Sequence, residues 1–401
     1  MKVKILDATL NGNLTVPKSK SYLHRVMIAH FLATNQVINL DNLSEDIKTT
    51  ANLLSAIKED QDDLYFSESA SSLRFLIPII SAITSKEKKL HLGSSLNNRP
   101  ISPFQDLYNK MNISFIKKDH HIIISGNLYP SNYHIDGSIS SQFISGLLMA
   151  LPLLDGDSKI IIDNELVSNS YVNMTLHVLK LFKISIVRED NIFYIKGNQK
   201  YQETSISIEG DYSQAAFFIV AGAINELITI SNLKEDSYQG DKKIIDIINN
   251  MGGNVSFINN QLVSKKGELH GNTIDLKDNI DLGPILFSLA AVTKDKTIIK
   301  NVKRLKYKES NRLDNMIKNL IKMKANIVKL DENTIMIQGK GKLSGNIELE
   351  TFNDHRIVMA LSIIKKKVDG YIILDNYEAV SKSYPDFFKD FVKLGGKIDV
   401  K

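Results

Sequence analysis

Apolar residues along this 401-residue chain follow two different spacings. Apolar positions three and four residues apart predict helices over residues 22–33, 143–151, 215–224 and 356–365. Alternating apolar and polar positions predict strands, as in residues 122–124 and 193–196. Both patterns occur throughout the chain, which is typical of an α/β protein.

One junction between the two patterns recurs. An apolar helical run ends in a turn-like residue and passes at once into an alternating strand, with copies about 70 residues apart at 111–115, 182–186, 251–255, 323–327 and 394–398. Gly252 and Gly395 suit the left-handed position that ends a helix, Asn112 tolerates it, and Lys183 and Lys324 occupy it at a steric cost. A weaker sixth copy begins with a helix over 49–57, so the sequence predicts six α/β repeats in two groups of three.

Length and composition narrow the class of protein. A chain of 401 residues exceeds what one hydrophobic core usually serves, which predicts two domains. The 50 basic and 45 acidic residues are interspersed, which argues against a nucleic-acid partner. The chain has no cysteine, which excludes disulfides, thiolate zinc sites and cysteine nucleophiles and matches a cytoplasmic location. Its apolar runs are too short to cross a bilayer, so no membrane partner is expected.

Cations and hydroxyls cluster just behind Pro17, at the start of the first predicted helix. The cluster consists of Lys18, Ser19, Lys20, Ser21, His24 and Arg25. Backbone N–H groups, hydroxyls and positive charge at a helix start form a ready anion site. A capped surface helix with solvated lysines has the same composition, so this segment alone leaves both interpretations open.

Two further clusters precede apolar helical runs. The first consists of Glu68, Ser69, Ala70, Ser71, Ser72 and Arg74, and the second of Ser140, Ser141 and Gln142. Either could bind a phosphate or a carboxylate. An ion pair of Arg74 with Glu68 and simple N-capping by the serines are the structural alternatives.

Ionisable residues gather in two later segments. Lys308 and Arg312 are four residues apart, which predicts that they share one helical face with Glu309 beside them. Asp354, His355 and Arg356 come together at the start of an apolar helix. Salt-bridge decoration explains such residues equally well when each segment is taken by itself.

Taken in order, these segments resemble the enolpyruvyl transferase family over nearly the whole chain, and most closely its members that act on shikimate 3-phosphate. The resemblance rests on residues 17–25, 68–74, 99–101, 136–142, 167–171, 239–241, 308–312, 353–356 and 382–386. Each segment by itself is weak evidence. The resemblance depends on all nine segments occurring in the same order as in the family.

The resemblance implies an α/β fold of two domains, each with three repeated βαβαββ units around a pseudo-threefold axis, an inside-out α/β barrel with the active site in the interdomain cleft. The first domain would span residues 15–208, and the second residues 1–14 and 209–401. The implied reaction moves the enolpyruvyl group of phosphoenolpyruvate to the 5-hydroxyl of shikimate 3-phosphate and releases phosphate. No metal or organic cofactor is implied, and family members are commonly monomers.

Site residues also follow from the resemblance. Shikimate 3-phosphate would be held by Lys20, Ser21, Arg25, Ser140, Ser141, Gln142, Ser168, Asp281 and Lys308, with Tyr171 nearby. Phosphoenolpyruvate would be held by Lys20, Ala70, Arg99, Gln142, Arg312, Arg356 and Lys382. Asp281 would handle the hydroxyl proton and Glu309 the proton at C3, with Lys20 assisting. A helix cap for Asp281 and an ion pair with Arg312 for Glu309 are the structural alternatives.

Three residues depart from the family pattern. Ala70 stands where many members have Gly, Glu68 where Asn is frequent, and Arg304 where a smaller polar residue is common. An extra methyl group in a tight anion pocket would crowd bulkier analogues, which predicts reduced sensitivity to the family inhibitor glyphosate.

Two other functions fit parts of the pattern. A sister enzyme uses UDP-N-acetylglucosamine as acceptor, but it usually carries a loop cysteine, and this chain has none. A non-catalytic protein that binds phosphorylated metabolites would have no use for Asp281 and Glu309 beside anionic ligands.

Overall fold

The computed structural model describes residues 1–38 and 43–400. Within them the helices are α1 (Lys20–Thr34), α2 (Glu45–Lys58), α3 (Ala70–Ile83), α4 (Ser94–Asn97), α5 (Ser102–Lys110), α6 (Ser141–Ala150), α7 (Asn169–Leu181), α8 (Tyr212–Ile224), α9 (Ile244–Asn250), α10 (Gly283–Val292), α11 (Arg312–Lys322), α12 (His355–Ile363) and α13 (Phe387–Lys393). No helix in this part of the chain combines the length and hydropathy that a membrane crossing requires.

Strands account for much of the remaining chain. They are β1 (Lys2–Asp7), β2 (Gly12–Thr15), β3 (Asp63–Tyr65), β4 (Lys88–His91), β5 (Ser114–Lys118), β6 (His121–Ser125), β7 (Asn132–Asp136), β8 (Ser158–Asp163), β9 (Ile186–Glu189), β10 (Ile192–Ile195), β11 (Leu227–Ser231), β12 (Asn254–Ile258), β13 (Gln261–Lys265), β14 (Thr273–Asp275), β15 (Lys296–Lys300), β16 (Asn326–Lys329), β17 (Thr334–Gln338), β18 (Leu343–Ser344), β19 (Ile347–Leu349), β20 (Val368–Asp369), β21 (Ile372–Asp375) and β22 (Lys397–Val400).

The chain divides into two compact units. The discontinuous unit comprises Met1–Ser19 and Glu209–Lys401, and the inserted unit comprises Lys20–Ile208. Each unit buries its own cluster of apolar side chains, and the two clusters share no residue. Each unit therefore has a separate hydrophobic core.

A single sheet topology recurs in both units. In the sheet of β3 to β6, two parallel strands are joined through a helix, and an antiparallel hairpin follows after further helical residues. The last strand of the hairpin lies between the second and the third strand of the sheet. The five four-stranded sheets of the described residues are β3–β4–β6–β5, β7–β8–β10–β9, β2–β11–β13–β12, β14–β15–β17–β16 and β19–β21–β1–β22. The α/β fold expected from the sequence is confirmed. The helix predicted at 49–57 for the sixth copy lies within α2, which precedes β3.

The first strand of the chain belongs to the last sheet. β1 lies between β21 and β22, with Lys2 opposite Asp375 and Val3 opposite Val400. β2 pairs in parallel with β11, and the whole inserted unit separates these two strands in sequence. The discontinuous unit is therefore assembled from both ends of the chain.

Helices that are mostly or wholly buried lie inside each unit. In the discontinuous unit α8, α10 and α12 contact one another, and all of their residues are buried. In the inserted unit Arg25 of α1 donates to Ser145 of α6 and lies over the ring of Phe75 in α3. Because α8 and α10 are buried on every face, they show little amphipathicity.

The recurrent helix-to-strand junctions have the predicted left-handed residues. The φ angle is 55° at Asn112, 65° at Lys183, 91° at Gly252, 68° at Lys324 and 107° at Gly395. Each of these residues separates a helix from the strand that follows it. Lys183 and Lys324 therefore adopt the left-handed conformation, which has a steric cost for any residue with a Cβ atom.

Candidate functional site

Arg312 is the centre of a buried ionic cluster in the discontinuous unit. Its side chain is only 1% exposed. Its Nε lies 2.8 Å from the Asp354 carboxylate, and its two terminal nitrogens lie 2.9 Å from Asp281 and 2.6 Å from Glu309. One guanidinium thus holds three carboxylates that are far apart in sequence.

Asp281 receives two more cations. Its carboxylate lies 3.1 Å from Nζ of Lys308 and 3.7 Å from the guanidinium of Arg356. Burial raises the pKa of the Asp281 carboxyl, but the charges of Lys308, Arg356 and Arg312 outweigh it and hold that pKa well below its usual range. Asp281 is therefore ionised in this arrangement.

Helix starts position these side chains. Asp281 lies in a 3₁₀ turn directly before α10, and Asp354 caps α12 by accepting a hydrogen bond from the backbone N–H of Arg356 at 3.0 Å. Asn311 caps α11, where its side chain accepts from the N–H of Asp314. The predicted grouping of Asp354, His355 and Arg356 at a helix start is confirmed.

The expectation that Lys308 and Arg312 share a helical face is wrong. Lys308 follows a 3₁₀ helix over Lys303–Tyr307 with extended backbone, and α11 begins only at Arg312, because Asn311 caps it. Both cations nevertheless reach the same oxygen of Asp281. Glu309 pairs with Arg312, as its structural alternative anticipated, whereas Asp281 is not itself the capping residue of α10.

The pKa values of Lys308 and Arg312 shift in opposite directions. Burial lowers the pKa of Lys308 to about 8, although the charge of Asp281 opposes this change. Burial also lowers the pKa of Arg312, but Asp354, Glu309 and Asp281 together raise it above its ordinary value. Arg312 is a permanent charge, and Lys308 is a group that can lose its proton in mildly alkaline solution.

A second polar cluster forms around Gln142 in the inserted unit. The side chain of Gln142 accepts a hydrogen bond from Arg74 at 2.8 Å and donates one to Ser71 Oγ, also at 2.8 Å. Arg74 donates in addition to the carbonyl of Pro100. Three segments selected from the sequence, 68–74, 99–101 and 140–142, are thus brought together.

Lys20 and Arg25 have different environments on α1. Nζ of Lys20 lies 2.6 Å from Asp46 of α2. Arg25 is 2% exposed and donates to Thr175 Oγ1 and to the carbonyls of Ser21 and Tyr171. Burial lowers the pKa of Arg25 to about 10.

The cluster behind Pro17 is divided by the fold. Lys18 and Ser19 belong to the discontinuous unit, where the N–H of Ser19 donates to the carbonyl of Glu209. His24 is buried against α2, and its Nδ1 lies 2.7 Å from Thr50 Oγ1. His24 therefore lies on the buried face of α1, where it packs against α2.

The remaining residues implied by the resemblance lie at helix boundaries. Ser140 caps α6, Ser141 is its first residue, and buried Ala70 is the first residue of α3. Ser168 precedes α7 with a φ of 54°, a strained left-handed conformation for serine. Half-buried Arg99 follows α4, and Lys382 ends a 3₁₀ helix over Tyr377–Lys382.

Three acidic residues of these clusters are not among the site residues expected from the sequence. Asp46 pairs with Lys20, Asp354 pairs with Arg312, and Asp241 is buried and accepts a hydrogen bond from Ser213 at the start of α8. Burial, reinforced by the negative charge of Asp281, raises the pKa of Asp241 to about 6. Two of the three had a sequence signal: Asp354 by its place at a predicted helix start, and Asp241 by its place in the segment 239–241 of the resemblance. Within the described residues no three His, Asp or Glu side chains are arranged to hold a metal ion.

The chain is similar to known proteins of one family. The family model for EPSP synthase (3-phosphoshikimate 1-carboxyvinyltransferase) matches residues 57–391. The 3-phosphoshikimate 1-carboxyvinyltransferases of Clostridium novyi and Brachyspira hyodysenteriae are 39% and 40% identical to the chain, cover 99% of it and are themselves covered to 98% and 100%.

Solved structures give the same fold. An EPSP synthase from Acinetobacter baumannii aligns over 100% of both chains with a TM-score of 0.78 at 23% identity. The enolpyruvyl transferase NikO from Streptomyces tendae aligns over 99% of this chain and 98% of its own with a TM-score of 0.76 at 15% identity. On the family model and the full-length relatives, the chain belongs to the EPSP synthase family.

Proposed function

We propose that this chain transfers the enolpyruvyl group of phosphoenolpyruvate to the 5-hydroxyl of shikimate 3-phosphate, a step of the shikimate pathway towards aromatic amino acids. The observation that carries the proposal is the Arg312 cluster, which places Asp281 and Glu309 beside Lys308 and Arg356. Anionic substrates require such cations, and acid–base chemistry requires such carboxylates. Family membership supports the same reaction.

A set of residues is assigned to each substrate. Shikimate 3-phosphate is assigned to Lys20, Ser21, Arg25, Ser140, Ser141, Gln142, Ser168, Asp281 and Lys308. Phosphoenolpyruvate is assigned to Lys20, Ala70, Arg99, Gln142, Arg312, Arg356 and Lys382. The serines and Gln142 at the start of α6 support this assignment, because a helix start favours a phosphate group.

The chemistry is an addition followed by an elimination. A proton adds to C3 of phosphoenolpyruvate, the 5-hydroxyl oxygen bonds to C2, and the hydroxyl proton leaves to a base. In the second step C3 returns a proton, and the C–O bond to phosphate breaks. Asp281 is the base for the hydroxyl, Glu309 exchanges the proton with C3, and Lys20 assists.

Substrate anions are expected to activate these carboxylates. Arg312 and Lys308 are neutralised by Asp281 and Glu309 in the free protein. An incoming phosphate or carboxylate competes for the same cations, so it weakens their hold on Asp281. The pKa of Asp281 then rises towards its ordinary value, and the carboxylate becomes a stronger base when substrate is bound.

Phosphate release tests the proposal directly. Release from phosphoenolpyruvate is measured with shikimate 3-phosphate or UDP-N-acetylglucosamine as acceptor, for the wild type and for Asp281→Ala and Glu309→Gln. We expect release only with shikimate 3-phosphate and its loss in both variants. Release with UDP-N-acetylglucosamine would indicate the sister enzyme, and tight shikimate 3-phosphate binding without release would indicate a non-catalytic binding protein. Sedimentation of the same preparation tests the expected monomer.

A further inference from the structure

Arg304 belongs to the segment that carries Lys308, and its side chain contacts the segment that carries Asp281. These segments leave neighbouring parallel strands, since Asp275 at the end of β14 pairs with Lys300 at the end of β15. Beyond the strands the guanidinium of Arg304 donates to the carbonyl of Lys277 at 2.8 Å. Leu305, buried to 1% exposure, packs against Gly283 on the opposite segment.

The geometry points to Arg304 as a positioning residue for the reaction: it holds the segment that carries Asp281 against the segment that carries Lys308 and adds a further cation beside both. The inference rests on the proposed function, because it takes the roles of Asp281 and Lys308 from there.

Arg304 also acts through its charge. Arg304 is one of the cations around Lys308, and it disfavours the proton on Lys308 while it favours the ionised form of Asp281. The charged groups facing this region are Asp281 and Asp278 before α10, Arg304 and Glu309 beside Lys308, Arg312 of α11, and Asp354 and Arg356 at the start of α12. Removal of the Arg304 charge therefore raises the pH at which Lys308 loses its proton.

Three variants separate position from charge. Arg304→Gln removes both the charge and the fork geometry, Arg304→Lys keeps the charge, and Lys303→Gln removes an adjacent charge that is exposed and paired with Glu332. We expect kcat of Arg304→Gln to fall about tenfold, since small misplacement of reacting groups is costly. The alkaline fall of its kcat/KM should move up by about half a pH unit or more. Arg304→Lys should keep the wild-type pH profile with a reduced kcat, and Lys303→Gln should match the wild type in both.

A measurement without turnover separates this inference from the proposed function. The protein is labelled with ¹³C-lysine, and the Lys308 signal, assigned by its loss in Lys308→Arg, is titrated in the wild type and in Arg304→Gln. A higher Lys308 titration midpoint in Arg304→Gln than in the wild type supports the inference. This result holds even if no acceptor is turned over, whereas the absence of turnover would refute the proposed function. An unmoved Lys308 titration, or a wild-type kcat and pH profile in Arg304→Gln, would overturn it.

Discussion

Arg312 and Asp354 are opposite charges with almost no exposure to solvent. A buried charge is tolerated only when it is paired and hydrogen-bonded, and each of these two residues meets that condition through the other. Ser310 supplies one more hydrogen bond to the Asp354 carboxylate at 3.0 Å. The same pair that orients Arg312 towards Asp281 therefore also stabilises the start of α12.

Arg312→Met should cost about 3–5 kcal/mol in the free energy of unfolding, because it leaves the Asp354 charge buried without its main partner. Urea denaturation measures the loss. The control is Lys318→Met on the same helix, which breaks an exposed pair with Glu350 and should cost less than about 1 kcal/mol. Equal losses for the two variants would show that the buried pair contributes no more than the exposed one.

Ala70→Gly should increase the sensitivity of the enzyme to glyphosate. Ala70 is the first residue of α3 and is 3% exposed, so its methyl group already meets neighbouring atoms. Inhibition constants against phosphoenolpyruvate check this, with Ala82→Gly near the other end of α3 as a control for the loss of helix propensity. A glyphosate inhibition constant of Ala70→Gly equal to that of the wild type would refute the prediction.

Local contacts in the candidate site could be predicted from the sequence, and distant ones could not. The caps at Ser140 and Asp354 act over two residues, so the sequence pattern contains them. The pair of Lys20 with Asp46 joins two helices across residues 39–42, and no local pattern contains it. The prediction that Lys308 and Arg312 share a helical face is wrong, because Asn311 caps α11 and the helix begins only at Arg312.

At the scale of elements, the two lysines in left-handed conformation are the clearest departure from an ideal helix end. Lys183→Gly should raise the free energy of unfolding by up to about 1 kcal/mol, because glycine adopts a φ of 65° without a steric cost. Lys180→Gly, inside the last turn of α7, should lower it by a similar amount. Thermal denaturation distinguishes the signs, and a loss in both variants would contradict the prediction.

The contact between α1 and α2 should make stability depend on pH. Burial lowers the pKa of His24 from 6.5 to about 3, so the folded protein keeps His24 neutral while the unfolded chain protonates it below pH 6.5. Stability from this group is therefore present above pH 6.5 and is lost as the pH falls towards 3. Between pH 7 and pH 5 the loss is about 2 kcal/mol.

Urea titrations at pH 5 and pH 7 measure this difference for the wild type, His24→Gln and the exposed His120→Gln. We expect the difference to shrink in His24→Gln only, because the amide that replaces the imidazole has no proton to gain in this pH range. An unchanged difference in His24→Gln would assign the pH dependence to other groups.

Helix existence was predicted better than helix ends. The pattern placed a helix at 215–224, whereas α8 begins at Tyr212, because Asp211 caps it and polar Ser213 and Gln214 are buried inside it. The periodicity of apolar residues misses this first turn, because two of its residues are polar although the helix is buried on all sides.

At the scale of the whole molecule, the two separate cores predict two unfolding transitions. Phe143→Ala in the inserted unit should lower the stability of one transition by about 3–5 kcal/mol, and Phe287→Ala in the discontinuous unit should lower the other, since both rings are fully buried. Denaturant unfolding followed by hydrogen exchange assigns each transition. A single transition that both variants shift equally would contradict separate cores.

The place of β1 in the last sheet has a consequence for synthesis on the ribosome. The inserted unit is continuous, so all of it has been made once Ile208 leaves the exit tunnel. β1 is made first, but its partners β21 and β22 are made last, at residues 372–375 and 397–400. β1 therefore stays unpaired with its native neighbours until residues 397–400 have been made, and the discontinuous unit completes its fold only after β22 has left the exit tunnel.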